Sequence, residues 1–168
     1  MAESQVVKSR IDGTITITDG TSVTPLSYTV DIEGDGNFTN TSGKADHVVV
    51  YDRGAIVGRR KTNNGIVTGS FSVNMRQFTD GTEVTLIDVI ENTGAWSAAV
   101  TTTGPEFDVE GETKTMTYTS EGTDHGDSAD HVQTFERVVF DWDYAEGDLN
   151  TITVNWEGYS RPTRTGPS

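Results

Sequence analysis

The sequence predicts a mainly β protein, a β-sandwich or barrel of about eight antiparallel strands flanked by one α-helix over about residues 80–92. Two observations carry that expectation. Apolar and polar residues alternate in segment after segment between Gly13 and Glu157, with Gly, Asn and Asp turn signals between them. Only Thr79–Gly94, TDGTEVTLIDVIENTG, carries both a helix start and a helix stop.

Residues 1–12 are polar and read as the N-terminal arm of a single domain over 1–158. Gly13–Asp19, GTITITD, places Ile15 and Ile17 on one face and threonines on the other, the pattern of a half-buried strand. Thr24–Ile32 repeats it with Leu26, Tyr28, Val30 and Ile32, and Pro25 fits only near that strand's start. Gly34–Lys44 reads as a loop. His47–Asp52 and Ala55–Arg60 flank Arg53-Gly54 and read as a hairpin. After the Asn63-Asn64-Gly65 turn, Ile66–Arg76 alternates throughout, with Val67, Gly69, Phe71, Val73 and Met75 on one side.

In the helical segment Asp80 is the expected N-cap, with Glu83 three residues on as the second acid of a capping box. Asn92 and Gly94 supply the stop, since both tolerate the left-handed conformation that ends helices. At helical spacing Leu86, Ile87, Val89 and Ile90 share an apolar arc of about 160°.

Ala95–Gly111 is irregular, with Trp96 as an anchor and a break at Gly104-Pro105. Thr113–Ser120 alternates again, and an acidic loop follows over Glu121–Asp130. His131–Tyr144 reads as the longest strand. Phe135 and Glu136 violate its alternation, so a bulge or break belongs near them. Gly147-Asp148 turns the chain into Asn150–Glu157, and residues 159–168 read as a flexible C-terminal tail.

Composition narrows the function. The hydrophobic share is 33%, which suits a thin sandwich or a subunit whose core is completed by neighbours. There is no cysteine, which excludes disulfides, thiolate metal sites and cysteine nucleophiles. Twenty-six acids against 12 bases leave a formal charge of −14, opposed to wrapping nucleic acid. No segment reads as a signal sequence or a membrane span, so no membrane partner is expected.

The chemistry-bearing clusters are few. Asp124, His125, Asp127, Asp130 and His131 share one loop and are candidate metal ligands, though their spacing matches no established ligand set. Asp31–Ser42 partly imitates a calcium loop, but Ser42 stands where a bidentate carboxylate is needed. No nucleophile elbow, P-loop or dinucleotide fingerprint occurs, so neither catalysis nor a cofactor is expected. Arg59, Arg60 and Lys61, the densest basic run, fit best as a hairpin end pairing with a neighbour's acids. Trp142, Trp156, Phe140 and Tyr144 read as core or interface anchors.

The order of these segments resembles the major tail tube proteins of long-tailed bacteriophages and related phage-derived particles. The resemblance spans about residues 12–157 and rests on the ITIT strand, GSFSV running into Phe78-Thr79-Asp80, the single helix, EGTDHGDSADH, Phe140-Asp141-Trp142-Asp143 and Glu146-Gly147-Asp148-Leu149-Asn150. It implies a structural virion protein whose hexameric rings stack into a tube conducting DNA through an acidic lumen. It further implies assembly in the bacterial host cytoplasm, and as partners other copies of the chain and the tape measure, tail terminator and distal tail proteins. On that reading Leu86, Ile87, Val89 and Ile90 lie between the subunit's own sandwich and its neighbour. The alternative is a sandwich binding or adhesin module with calcium in an acidic loop.

Overall fold

The computed structural model describes residues 13–30, 38–63, 65–78, 80, 82–123 and 126–166. The N-terminal arm and most of the calcium-like loop therefore lie outside the described residues. Ten strands and one α-helix follow one another in the order β1 (Thr14–Thr18), β2 (Ser27–Val30), β3 (Thr39–Thr41), β4 (His47–Asp52), β5 (Ala55–Lys61), β6 (Val67–Asn74), α1 (Leu86–Glu91), β7 (Lys114–Ser120), β8 (His131–Ala145), β9 (Thr151–Gly158) and β10 (Thr163–Thr165). The main sheet has eight strands in the order β2-β1-β7-β8-β9-β6-β3, with β10 added to β8, and every pairing is antiparallel. The β4–β5 hairpin forms a separate two-stranded sheet.

β8 is the strand that bends this sheet around a core. Its first half pairs with β7 and its second with β9, and between the pairs Met116↔Phe135 and Lys114↔Val138 the register shifts by one residue. Arg137 takes a φ of 58° at that point, so the bulge anticipated near Phe135 and Glu136 is present. The extra residue restores alternation on the inner side: Phe135, Val138 and Phe140 all turn inward. A strand passing between two walls through a bulge is how sandwiches make corners. Phe38, just before β3, then stacks on Tyr118 of β7 at 4.3 Å and on Trp156 of β9 at 5.9 Å, so the two walls meet across one core.

That core takes Ile15 and Ile17 from β1, Val67, Phe71 and Val73 from β6, Met116 from β7, and Ile152, Val154 and Trp156 from β9. These are the apolar sides assigned from alternation. Two strands were not anticipated. β3 lies in the stretch read as a loop, and β10 in the stretch read as a flexible tail. Both are short and threonine-rich, and each occupies a sheet edge offered by a longer strand: β3 on β6, and β10 on the part of β8 that β9 leaves uncovered.

The helix is shorter than expected and begins later. Asp80 does cap a turn, accepting from the amides of Thr82 (2.7 Å) and Glu83 (3.1 Å), but the chain then returns to extended geometry, with ψ 159° at Thr85. Thr85 is the true N-cap: its hydroxyl accepts from the Asp88 amide, and the Asp88 carboxylate takes the Thr85 amide in return. The predicted stop holds, Asn92 being left-handed at φ 54°. Leu86, Ile87, Val89 and Ile90 are all buried in the chain's own core, together with Asp88, whose carboxylate also accepts from the Thr93 hydroxyl at 3.0 Å.

A candidate assembly surface

With the helix consumed by the core, the largest display of exposed apolar side chains is on the β4–β5 hairpin. Arg53 and Gly54 both have positive φ, 46° and 84°, the two-residue turn whose twist matches a right-handed hairpin. Register puts Tyr51 opposite Ile56, Val49 opposite Arg59 and Val48 opposite Arg60, with Lys61 opposite His47 at the root. A shift between Val50 and Tyr51 leaves Val57 as the extra residue. Tyr51, Ile56 and Val57 are 62%, 69% and 60% exposed, and Val48, Val49 and Val50 are also open to solvent. Among the described residues no third strand joins this hairpin. Val, Ile and Tyr favour extended structure, which explains the strands, but not why they should stand in water.

The root is built to hold the hairpin at a set angle. Asp46 and Asn63 are joined by two hydrogen bonds, and the Thr62 amide donates to the Asp46 carbonyl at 2.9 Å. Gly43 and Gly65 lie backbone against backbone there, and a Cβ on either would strike the other leg. Arg59, Arg60 and Lys61 thus stand on an exposed, anchored element.

A second surface has the opposite character. On the outer side of β8, β9, β6 and β3, register aligns Asp141, Asn155, Ser70 and Thr39 in one row and Asp143, Thr153 and Ser72 in the next, with Glu157, Thr68 and Thr41 alongside. No lysine or arginine stands in these rows. The side chains are tied laterally, Asn155 donating to Asp143 at 3.1 Å and hydroxyls meeting between Ser72 and Thr153 and between Thr39 and Ser70. Alternation alone marks these residues as outward-facing. That they form one continuous face depends on the strand order β8-β9-β6-β3, for which local sequence carries no signal.

The segment between the helix and β7 is held by two buried aspartates and one buried lysine. Asp19 accepts from the amides of Leu26 (2.7 Å) and Val100 (3.0 Å) and from the Thr21 hydroxyl (2.7 Å). Burial alone would raise its pKa, but these donors outweigh it and the pKa falls. Asp108 accepts from the amides of Thr113 (2.6 Å) and Gly111 (3.0 Å) and from the Thr101 hydroxyl (2.8 Å). Burial again opposes ionisation and the donors win, leaving its pKa at about 2. Lys114, 2% exposed, donates to the Glu112 and Ile90 carbonyls at 3.2 and 3.4 Å, the latter near the end of α1. Burial lowers its pKa to about 8, against the pull of Glu112, Asp108 and Asp19.

The candidate metal loop is only partly within view, because Asp124 and His125 lie outside the described residues. Asp127 meets His131 at 3.0 Å. Asp130 turns into its own loop, accepting from the amides of Gly122 and Thr123 and from the Thr123 hydroxyl, which lowers its pKa. Among the described residues no three acidic or histidine side chains gather as a metal group. Of the aromatic anchors, Phe140 and Trp156 are in the core, Trp142 is half-buried with its indole donating to Glu91 at 3.0 Å, and Tyr144 is exposed beside Phe78.

No protein-family model and no curated protein matches this chain. Solved structures do resemble it. A chain from the sheath/tube terminator of an extracellular contractile injection system (PVC, extended state) aligns with a TM-score of 0.59 at 9% identity, covering 99% of this chain and 100% of that one. A chain from the six-fold-symmetrised baseplate of the anti-feeding prophage (AFP) gives 0.55 at 8% identity, covering 99% and 98%. A chain from the PVC sheath-tube complex gives 0.54 at 8% identity, covering 90% and 88%. At these identities the likeness is one of fold, and it extends over essentially the whole chain.

Proposed function

We propose that this protein is a structural subunit of a phage-type or phage-derived tail particle, in which copies close into hexameric rings and the rings stack into a tube. It works by assembly and carries no catalytic centre. The observation that carries this reading is the set of three aligned rows on β8-β9-β6-β3: chiefly acids and small hydroxyls across four strands, with no cation in the rows. In such a tube that face lines the bore. A lining of this kind offers a passing polyanion no phosphate contact, so DNA can move through without the counterion-releasing contacts that would hold it.

Fold likeness to chains from contractile injection systems supports the same reading. So does the state of the sheet, whose edge strands β2 and β3 each pair with one neighbour only among the described residues, positions that a ring would cover. The particle's other tail proteins are then its partners, and the tail of the virion or injection particle its location. Electron microscopy with sizing of the purified protein tests the proposal. Rings or hollow tubes are expected, and a protein that stays monomeric at high concentration overturns it.

A further inference from the structure

We propose that the β4–β5 hairpin of one copy docks on the acidic segment between Val100 and Glu112 of a second copy. This rests on the assembly reading above and names the two surfaces that meet.

The two surfaces are complementary in both charge and polarity. The hairpin carries four bases, Arg53, Arg59, Arg60 and Lys61, against one acid, Asp52, in a chain of net charge −14. Its apolar side chains are exposed. The segment 100–112 carries Glu106, Asp108, Glu110 and Glu112 and no base. It too exposes apolar side chains: Val109 is 81% exposed, Val100 50% and Phe107 46%. A mixed surface of this kind on each partner buries apolar area while its charged rim selects the partner.

The receptor is also preformed. Asp108 is the one acid of the segment turned inward, and its three hydrogen bonds fix the loop, so little ordering remains for binding to require. Beside it, Thr103, Pro105, Phe107 and Glu136 line an open groove of about 610 Å³. There the guanidinium of Arg137 already lies 4.7 Å from the centre of the Phe107 ring. Glu106 and Glu136 also line the groove, carboxylates that an incoming arginine of the hairpin would meet.

Another region that combines acids with exposed apolar groups is Tyr144, Glu146, Asp148 and Leu149, at the turn into β9. There Tyr144 already packs on Phe78 at 5.4 Å, which leaves Leu149 as the main open apolar side chain. The 100–112 segment offers Val100 and Val109, besides Phe107, whose ring meets Tyr159 at 5.8 Å. A protrusion and a receptor at different places on one molecule also make a head-to-tail contact, which propagates into rings or filaments instead of closing as a dimer.

Because the chain has no cysteine, an introduced pair reports the contact directly. Ile56→Cys in one preparation and Val109→Cys in another, one of them enlarged by a tag, are mixed under mild oxidation. A disulfide between the two variants is expected. Ile56→Cys linking only to itself, or linking equally well to a Leu149→Cys copy, overturns the proposal.

The charge experiment separates this contact from assembly as such. Arg59→Glu with Arg60→Glu is expected to raise the concentration needed for assembly roughly ten-fold or more, and adding Glu106→Arg with Glu110→Arg to lower it again. If the doubly reversed hairpin assembles like the parent protein, the docking falls and the assembly reading stands. If the parent protein forms no rings or tubes but the mixed disulfide forms, the assembly reading falls and the contact stands.

Discussion

Asp46 and Asn63 clasp the root of the β4–β5 hairpin: the Asp46 amide donates to Asn63 Oδ1 at 2.8 Å, and Asn63 Nδ2 donates to Asp46 Oδ2 at 2.7 Å. A two-stranded ribbon is marginal by itself in water, and this clasp, with the Gly43–Gly65 approach, is what the body of the protein contributes to it. The hairpin is thereby aimed while its sides stay open.

Removing the clasp should free the hairpin without unfolding the protein. Asn63→Ala is expected to raise amide exchange across residues 47–61 by roughly ten-fold, the equivalent of one or two hydrogen bonds at about 1 kcal/mol each. The melting temperature of the main sheet should hardly move. Unchanged exchange in β4 and β5 would show that the clasp does not set the hairpin's stability.

The two candidate caps make opposite predictions. Thr85→Ala should cost about 1–2 kcal/mol in urea unfolding, since it removes the N-cap and leaves buried Asp88 short of a partner. Asp80→Ala should leave urea unfolding almost unchanged, because its turn is exposed and outside the helix. Ile87→Asp should unfold the subunit before it affects any contact between subunits, since Ile87 is 5% exposed.

Lys114 and Asp108 both make stability rise with pH, but in different windows. The pKa of Lys114 is lower folded (about 8) than unfolded (10.5), so the unfolded chain holds the proton more tightly. Its burial then costs most below pH 8, and the unfolding free energy should rise by roughly 3 kcal/mol between those values. For Asp108, ionised in the fold down to about pH 2 against 3.8 unfolded, the contribution is present above pH 3.8 and is lost as pH falls through 2. It amounts to roughly 2 kcal/mol. Lys114→Met should flatten the alkaline limb and Asp108→Asn the acid one, in unfolding curves measured across pH.

The proposed bore lining can be tested by charge. Asp141, Asp143 and Glu157 lie on the outer side of β8 and β9, so with Asp141→Lys, Asp143→Lys and Glu157→Lys folding and assembly should persist. Particles built from the triple variant should eject DNA more slowly, with a defect that shrinks as salt rises. Ejection at the parent rate would refute the repulsive lining.

Which residues form strands, and which side of each faces inward, could be read in β1, β6 and β9, because a period of two is a local property and burial follows it. The same reasoning located the hairpin turn, the Asn92 stop and the β8 bulge, each a local backbone requirement. The start of the helix was not legible in the same way. Asp80-x-x-Glu83 and Thr85-x-x-Asp88 are both capping patterns, and only the packing of Leu86 and Val89 into the core selects the second. β3 and β10 have no apolar alternation to announce them, since their pairing is dictated by the free edges of β6 and β8. The sequence by itself determined the longer strands, their inner faces and the charge. Only the tertiary structure decided that the helix arc is consumed within the subunit, that the hairpin is left bare, and that acids from separate strands form one face, because all three depend on which strands become neighbours.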